Sequence, residues 1–259
     1  MFWRDLWRYR ELFYFLAWRD ILVRYKQMVI GIAWAVVRPL LTMVVFTVIF
    51  GRVAKLPSDG APYSILVLCA LLPWQFFASS LTESSNSLVH HAGMLSKIYF
   101  PRLIVPISAT LASLVDFLIS FLLLCGLMAW YRFVPGVRIV ALPGFLALAF
   151  AASLGAGLWF SALSVQYRDI RFIVPFVVQL GLFVSPVGFS SSIVPESWRF
   201  LYSLNPMVGA IDGFRWAILG GGIPLYWPGL VLSVFVTVSI LLGGVWYFRR
   251  AERFFADVI

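Results

Sequence analysis

Few side chains in this sequence could take part in catalysis, because its acidic and imidazole groups are sparse and scattered. Asp116 is the only acid inside a long apolar segment, and His90 and His91 are adjacent in a polar stretch. Adjacent histidines in a helix point about 100° apart, and the sequence supplies no third metal ligand nearby. Hydrolases and transferases need paired carboxylates, a metal cluster or a nucleophile with its base. We therefore expect that this chain is not an enzyme.

A nucleotide site is also missing from the sequence. The chain contains no Gly-x-x-x-x-Gly-Lys-Ser/Thr loop, whose backbone amides cradle nucleotide phosphates. Any ATP must then be bound elsewhere, so we expect no cofactor on this chain. An ion-coupled carrier is an alternative, but such carriers place several ionisable residues near the membrane midplane and contain paired repeats. Asp116 without a repeat supports that alternative weakly.

The composition indicates a membrane protein. Of 259 residues, 62% are hydrophobic and 12% are charged, whereas soluble domains contain about 25% charged residues. The net charge of +9 does not indicate a nucleic-acid partner, because the lysines and arginines flank the apolar segments. Basic residues in that position are typical of cytoplasmic loops and of contacts with anionic membrane lipids.

Six apolar segments are long enough to cross a bilayer core of about 30 Å as helices. They lie near residues 33–52, 61–80, 103–130, 139–165, 172–189 and 226–248. If both termini are cytoplasmic, 14 of the 20 lysines and arginines lie inside. The outer group is then Arg52, Lys55, Arg132, Arg138, Arg199 and Arg215. The positive-inside rule therefore predicts an inner-membrane protein with both termini in the cytoplasm.

The N-terminal 30 residues carry too many charges for a span. On a helical wheel, one side nevertheless gathers Trp3, Trp7, Tyr14, Trp18, Ile21 and Tyr25. Aromatic rings favour the headgroup level, and arginines favour the anionic surface. We predict an amphipathic helix in the cytoplasmic interface, with a soluble helix packed on a partner as the alternative.

The segment between the fifth and sixth spans, residues 190–225, is too long for a simple connection. Its apolar patches at 198–204 and 209–219 are too short to span and predict re-entrant or interfacial helices on the outer face. The expected fold is a single all-α integral membrane domain. Residues 1–30 form the interfacial helix, 33–248 the six-helix membrane domain, and 249–259 a cytoplasmic tail.

Several short motifs are spread along the whole chain. They are Arg24-Tyr25-Lys26 with Ile30-Gly31, Trp34 and Pro39, Leu72-Pro73-Trp74, Asn86-Ser87-Leu88 through Lys97-Ile98-Tyr99-Phe100-Pro101-Arg102, Tyr167-Arg168-Asp169-Ile170, and Asn205-Pro206-Met207. Each motif alone is weak, but their joint order and spacing are specific. In these features the sequence resembles the permease subunits of type-2 ABC exporters, and among them the O-antigen and teichoic-acid permeases.

This resemblance implies a homodimer that works with two nucleotide-binding ATPase subunits, which hold the ATP and Mg²⁺. It also implies a polysaccharide substrate of the O-antigen, capsule or teichoic-acid type, built on undecaprenyl diphosphate or a similar lipid carrier. A permease for another lipid or drug-like amphiphile is the alternative within the same fold. The resemblance does not identify the glycan.

The resemblance further implies a coupling helix that seats in a groove of the ATPase. We assign it to residues 86–97, where an Asn or Ser can cap the helix start; a solvated loop tip is the alternative. Tyr167, Arg168 and Asp169 at the inner end of the fourth span would meet the ATPase or headgroups, or cap a helix end. The candidate coupling residues are Asn86, Leu88, His90, His91, Met94, Lys97, Tyr167, Arg168 and Asp169.

A second group of candidates would contact the substrate or the headgroups. Arg38 either binds the carrier's diphosphate through bidentate bonds or anchors the first span to lipid headgroups. Aromatic faces stack on sugar rings, although most membrane aromatics are packing residues. Bare exposure of Asp116 to lipid would cost at least ~2.5 kcal/mol, so we expect a hydrogen bond to Ser or Thr, with a path-lining role as the alternative. The candidates are Trp34, Arg38, Trp74, Phe77, Asp116 and Trp159.

Overall fold

The computed structural model describes residues 9–26, 31–58, 60–95, 100–220 and 224–254, and within these ranges the regular structure is helical without strands. A helix satisfies its backbone hydrogen bonds within one segment, which an apolar environment requires. The predicted all-α class is therefore confirmed. In chain order the helices are α1 Arg10–Lys26, α2 Gly31–Phe46, α3 Tyr63–His90, α4 Ala92–Leu95, α5 Ile104–Trp130, α6 Leu142–Gln166, α7 Ile170–Val184, α8 Glu196–Tyr202, α9 Pro206–Leu219 and α10 Trp227–Ala251.

Five helical segments in the described part of the chain are long and apolar enough to cross a membrane. They are Ala33–Val53, Tyr63–His90, Ile104–Trp130, Val137–Gln166 and Trp227–Ala251. The first of them passes from α2 into a π-helical turn, Thr47–Val53. The shorter apolar helix α7, with 15 residues, occupies the place of the predicted fifth span. The architecture is consistent with the multi-pass membrane domain of six spans that the sequence predicts.

Helix α3 lies at the centre of the bundle. Of its most apolar stretch, 72% is buried, against 17–33% in the other four long spans. It packs on α5, α6 and α9. Its close contact with α6 depends on Gly157, because a Cβ atom there would lie 2.5 Å from the Oγ of Ser84. Helix α3 therefore joins α5, α6 and α9 into one bundle.

Helices α6 and α10 also approach each other closely. A Cβ atom on Gly155 would lie 2.8 Å from the backbone of Leu241, and one on Gly244 would lie 2.5 Å from the carbonyl oxygen of Gly155. Small residues at such crossings let two backbones pack directly, which is a common way of joining membrane helices.

Helix α3 continues ten residues beyond the predicted end of the second span at residue 80. Several hydroxyls of its polar C-terminal half bond to carbonyls of the preceding turn. Thr82 donates to Ala78 at 2.8 Å, and Ser85 donates to Thr82 at 2.8 Å. With their hydrogen bonds satisfied inside the helix, these side chains can be packed in the bundle.

The predicted short helices between the fifth and sixth spans are present as α8 and α9. Asn205 begins α9 by accepting a hydrogen bond from the Met207 amide at 3.0 Å, with Pro206 in the first turn. Helix α9 lies against α3, α6 and α10, and most of its residues are buried. It is therefore part of the core of the bundle.

Both ends of the described chain meet at one end of the bundle. Leu16 of α1 belongs to the same buried cluster as Leu88 of α3 and Phe248 and Ala251 of α10. We call this end, marked by these four residues, the inner end, after the side on which the positive-inside rule predicts both termini.

Candidate functional site

A cavity of about 650 Å³ lies between α1, α2, α3, α5 and α7. We call it the aromatic cavity. Its aromatic lining comes from Trp34, Trp74, Phe76 and Phe117. Its polar lining comes from Arg24, Tyr25, Arg38, Thr42, Gln75, Ser79, Thr82, Glu83, Asp116, Ser120 and Gln179. A space with both linings can hold a molecule that is itself part polar and part apolar.

The aromatic cavity brings together most of the substrate-path candidates named from the sequence. Trp34, Arg38, Trp74 and Asp116 all line it. Phe77 does not line the cavity but contacts its wall, with its ring centroid 5.5 Å from that of Trp74. These residues come from helices α2, α3 and α5, so the grouping is a product of the fold.

Trp159 lies outside the aromatic cavity, between α6 and α10. Its indole stacks on Tyr247, with ring centroids 4.6 Å apart, and its Nε1 donates to the carbonyl of Ile240 at 3.3 Å. These contacts give Trp159 a packing role in the structure.

Arg24 of α1 is held by two acids on different helices. Its Nη1 lies 2.5 Å from Oδ2 of Asp116 on α5, and its Nη2 lies 2.8 Å from Oε1 of Glu83 on α3. The hydroxyl of Tyr25 also donates to Asp116, and burial raises the pKa of that phenol. The guanidinium and phenol take the place of the Ser or Thr partner expected for Asp116, because α1 packs directly on α5.

Arg38 is the other arginine of the cavity lining, and its situation differs. Its side chain is exposed, and within the described ranges it has no ion pair or hydrogen bond to another side chain. Its own carbonyl accepts a hydrogen bond from Thr42 at 2.9 Å. Of the two cations, Arg24 is compensated by carboxylates and Arg38 is available to a ligand.

The residues predicted to form a coupling helix belong to two elements instead. Asn86 and Leu88 lie in the last turns of α3, which ends at His90, and the following α4 has four residues. Leu88 is fully buried at the inner end. The prediction of a separate helix that begins at residue 86 is therefore wrong, because tertiary packing keeps residues 86–90 inside α3.

The remaining candidates of this segment differ in exposure. His90 is exposed at the end of α3, and Met94 of α4 packs partly on the inner-end cluster. Lys97 lies outside the described residues. His90 is thus the residue of this group most accessible to a partner.

A second cavity, of about 620 Å³, separates α1 from the end of α3. Here the Nδ1 of His91 donates to the carbonyl of Ser87 at 2.7 Å, and its Nε2 contacts Arg19 of α1. Asp20 lies 3.5 Å from the same Nε2. His91 therefore links α1 to α3. Within the described ranges, no group of three or more His, Cys, Asp or Glu side chains could hold a metal ion.

Tyr167, Arg168 and Asp169 form the short connection from α6 to α7, and all three are exposed. Asp169 occupies the position before α7, but its side chain makes no capping hydrogen bond there. The three side chains are therefore free to meet a surface outside the bundle.

Arg215 was grouped with the outer loops by the charge count, yet its side chain is 1% exposed. It donates to the carbonyls of Val187 and Phe189 at 3.0 and 2.7 Å, and Tyr63 donates to Gly188 at 2.6 Å. These bonds satisfy the irregular backbone that follows α7. The pair of charged residues Asp212 and Arg215 inside the mainly apolar patch 209–219 was the signal that could have revealed it.

Comparison with known proteins identifies the family. Residues 11–219 match the family described as ABC-2 type transporter. The O-antigen export system permease protein RfbA of Myxococcus xanthus is 28% identical over 258 residues, which cover 99% of this chain and 98% of the relative. An RfbA permease of Klebsiella pneumoniae is 28% identical over 253 residues, covering 93% of this chain and 92% of the relative.

A more distant relative is the polysialic acid transport protein KpsM of Escherichia coli. It is 23% identical over 239 residues, which cover 90% of this chain and 91% of the relative. The resemblance drawn from the short motifs is confirmed. Because the match to the family extends over most of its length, this chain belongs to the ABC-2 type transporter family.

Proposed function

We propose that this chain is the membrane-spanning subunit of an ATP-driven exporter of a lipid-linked polysaccharide, of the O-antigen or capsule type. Permeases named for O-antigen export and polysialic acid transport align with it over nearly its whole length. The observation that carries the proposal is the aromatic cavity, about 650 Å³ in volume and lined by both aromatic and polar side chains.

The lining of this cavity suits a glycan. A sugar presents C–H faces that pack on aromatic rings and hydroxyls that bond to amides and hydroxyl groups. Trp34 supplies an exposed ring and Trp74 a largely buried one, and Gln75, Ser79 and Gln179 supply the polar partners. Individually modest contacts of this kind allow a polymer to move from one to the next.

A second copy of the chain would complete a passage for the glycan along the aromatic cavity. Helices α2 and α7 contribute to the aromatic cavity and also expose large apolar side chains, with Leu41 56%, Phe176 64% and Phe183 61% exposed. We propose a homodimer that joins through these helices and two ATPase subunits at the inner end, each holding ATP and Mg²⁺. Exposed His90, Tyr167 and Arg168 are suited to contact the ATPases.

The two other functions compatible with the sequence receive less support. An ion-coupled carrier needs an acid on the transport path that gains and loses protons, whereas the two acids that line the aromatic cavity, Asp116 and Glu83, are both bound by Arg24. Another amphiphile would fit the apolar wall, but a wholly hydrophobic drug would leave Arg38 and the amides of Gln75 and Gln179 without partners.

Reconstitution tests the proposed function. The chain is co-purified with its ATPase partner and placed in vesicles that contain undecaprenyl diphosphate-linked glycan on one leaflet. We expect ATP-dependent appearance of glycan on the opposite side, and no transport with a Walker A lysine variant of the ATPase. Transport that survives ATP depletion but stops with a protonophore would instead support the carrier.

The inner-end contacts can be tested in the same vesicles. Arg168→Glu should uncouple ATP hydrolysis from transport, because it reverses a charge on the exposed surface proposed to meet the ATPase. Arg132→Gln changes an exposed arginine in the loop after α5 and serves as the control. Equal transport by both variants would remove Arg168 from the docking surface.

A further inference from the structure

We infer that the aromatic cavity of a single protomer binds the phosphate group that joins glycan to lipid, with Arg38 as its cationic ligand. This inference rests on the proposed function, since it takes the substrate to be a lipid-linked glycan. It adds a position for the substrate inside one protomer's helices and names the residues that select the phosphate.

The charges of the lining single out Arg38. Four ionised side chains line the cavity, two arginines and two acids. Arg24 contacts both acids, with Asp116 at 2.5 Å and Glu83 at 2.8 Å, so this group is compensated internally. A phosphate that took Arg24 would leave two carboxylates beside it without their cation. Arg38 has no such partner and can accept the anion without that penalty.

Neutral donors accompany Arg38 in the same lining. Gln75 of α3 and Gln179 of α7 line the cavity, and their side chains make no hydrogen bond within the described ranges. An amide N–H can donate to a phosphate oxygen or to a sugar hydroxyl. An arginine and two amides from three different helices thus line one cavity, and together they are a donor set suited to a tetrahedral anion.

An aromatic platform adjoins the arginine. Trp34 and Arg38 are four residues apart on α2, so their side chains share one face of the helix. The Trp34 ring is 56% exposed and lines the cavity. The sugar attached to a phosphate at Arg38 would therefore lie within reach of the ring, which selects a glycosyl phosphate over a simple anion.

An apolar wall completes the site. Leu71 and Leu72 of α3 and Pro175, Val178 and Leu182 of α7 line the same space. Such a surface suits the first units of an isoprenoid chain and not free phosphate. Cation, amides, aromatic ring and apolar wall thus match the successive parts of one ligand, a polyprenyl phosphate or diphosphate that carries a sugar.

The experiment is a binding measurement on the purified full chain in detergent. Undecaprenyl diphosphate is titrated while the tryptophan fluorescence is followed, and the quenching is assigned with Trp34→Phe and Trp74→Phe. We expect saturable binding, weakened at least about tenfold by Arg38→Gln, because a charge-assisted hydrogen-bond pair is lost. Arg38→Lys should have an intermediate affinity, since it keeps the charge without the bidentate geometry.

The controls separate binding from folding. Arg132→Gln removes an exposed arginine outside the cavity lining and should leave the affinity unchanged. All variants must elute as a single species and unfold at similar temperatures. Gln75→Leu should weaken binding about threefold without changing stability, which separates a ligand contact from a packing defect.

Competing ligands distinguish the sources of phosphate. Neutral undecaprenol should bind at least tenfold more weakly, and neither phosphatidylglycerol nor inorganic diphosphate should displace the probe at equal concentration. Equal affinity of the Arg38→Gln variant, equal binding of undecaprenol, or displacement by phosphatidylglycerol or diphosphate would each overturn the inference. ATP-dependent glycan export by a chain without this site would overturn it and leave the proposed function intact, whereas specific binding without export would reject the proposed function alone.

Discussion

Arg24 and Asp116 are 92 residues apart in the sequence, yet Nη1 of the arginine lies 2.5 Å from Oδ2 of the aspartate. The same guanidinium reaches Glu83 at 2.8 Å. One side chain of the N-terminal helix thus joins α3 and α5, two helices that also pack on each other directly. All three helices contribute to the wall of the aromatic cavity, so this pairing is part of its lining.

Breaking this pairing should destabilise the protein. Arg24→Gln leaves two partly buried carboxylates without their cation, and we expect a loss of about 1–2 kcal/mol, between the values for surface and buried pairs. Thermal unfolding in detergent measures the effect, with Arg24→Lys as the conservative control. In the double variant with Asp116→Asn the loss should be smaller than the sum of the two single losses. Strict additivity would show that the pair makes no energetic contribution.

Alkaline pH should weaken the contact between Tyr25 and Asp116. Burial, followed by the hydrogen bond to Asp116, raises the pKa of the Tyr25 phenol, so the folded protein retains the proton more strongly than the unfolded chain. The resulting stabilisation is complete below the unfolded pKa of about 10 and is lost as the pH rises through the folded pKa. The stability advantage over Tyr25→Phe should therefore shrink above pH ~10. A constant difference from pH 7 to 11 would contradict this.

Arg215 should be essential for folding even though it does not line the aromatic cavity. Arg215→Met leaves the carbonyls of Val187 and Phe189 without donors in the core and should cost about 3 kcal/mol or more. The yield of monodisperse protein and its unfolding temperature report the loss. Arg138→Met, which removes an exposed arginine lying over the ring of Trp216, should cost less than ~1 kcal/mol. Comparable losses of stability in Arg215→Met and Arg138→Met would show that the buried hydrogen bonds of Arg215 are not needed for folding.

The crossing of α6 and α10 should not tolerate a methyl group. In Gly155→Ala the new Cβ would lie 2.8 Å from the backbone of Leu241, and overpacking of this kind costs about 1–3 kcal/mol. Gly126→Ala makes the same change in α5, where no atom lies within 4 Å, and should stabilise the protein by ~0.5–1 kcal/mol. The unfolding temperature should therefore fall in Gly155→Ala and rise in Gly126→Ala. A stabilising Gly155→Ala would mean that the helices are farther apart.

Two tryptophans that look alike in the sequence should behave differently. Trp74→Ala removes a ring that lines the cavity and is also buried in the core, so we expect both the unfolding temperature and the transport per folded protein to fall, the latter several-fold. Trp159→Ala removes the stack on Tyr247 and should lower the unfolding temperature while transport per folded protein stays near the original rate. Vesicle transport normalised to folded protein separates the two. Normal transport by Trp74→Ala would take that residue off the substrate path.

The sequence was sufficient to predict much of the fold and part of the cavity. Long apolar segments must be helices in lipid, which gave the class and most of the spans. Charged residues inside such segments must face the protein or a wet space, and Arg38 and Asp116 do line one cavity, together with Trp34 and Trp74. These conclusions needed only local composition and the known cost of placing a charge in lipid.

The sequence could not show which distant residues contact each other in the folded chain. Local polarity predicted that the second span would end near residue 80, whereas packing of α3 against its neighbours carries the helix to His90. In the same way, nothing near Asp116 or Arg215 in the sequence indicates Arg24 or the carbonyls after α7. Contacts between segments distant in the sequence thus determine both where α3 ends and which groups bind Asp116 and Arg215.

The length of α3 has a mechanical consequence. Trp74 in the cavity lining and His90 at the inner end belong to one unbroken helix, separated by 16 residues or about 24 Å. Force applied at His90 reaches Trp74 without crossing a flexible loop. Pro73 leaves one backbone hydrogen bond unmade beside the tryptophan, which provides a pivot. Helix α3 therefore connects the exposed His90 to the cavity lining through one continuous helix, with a proline next to Trp74.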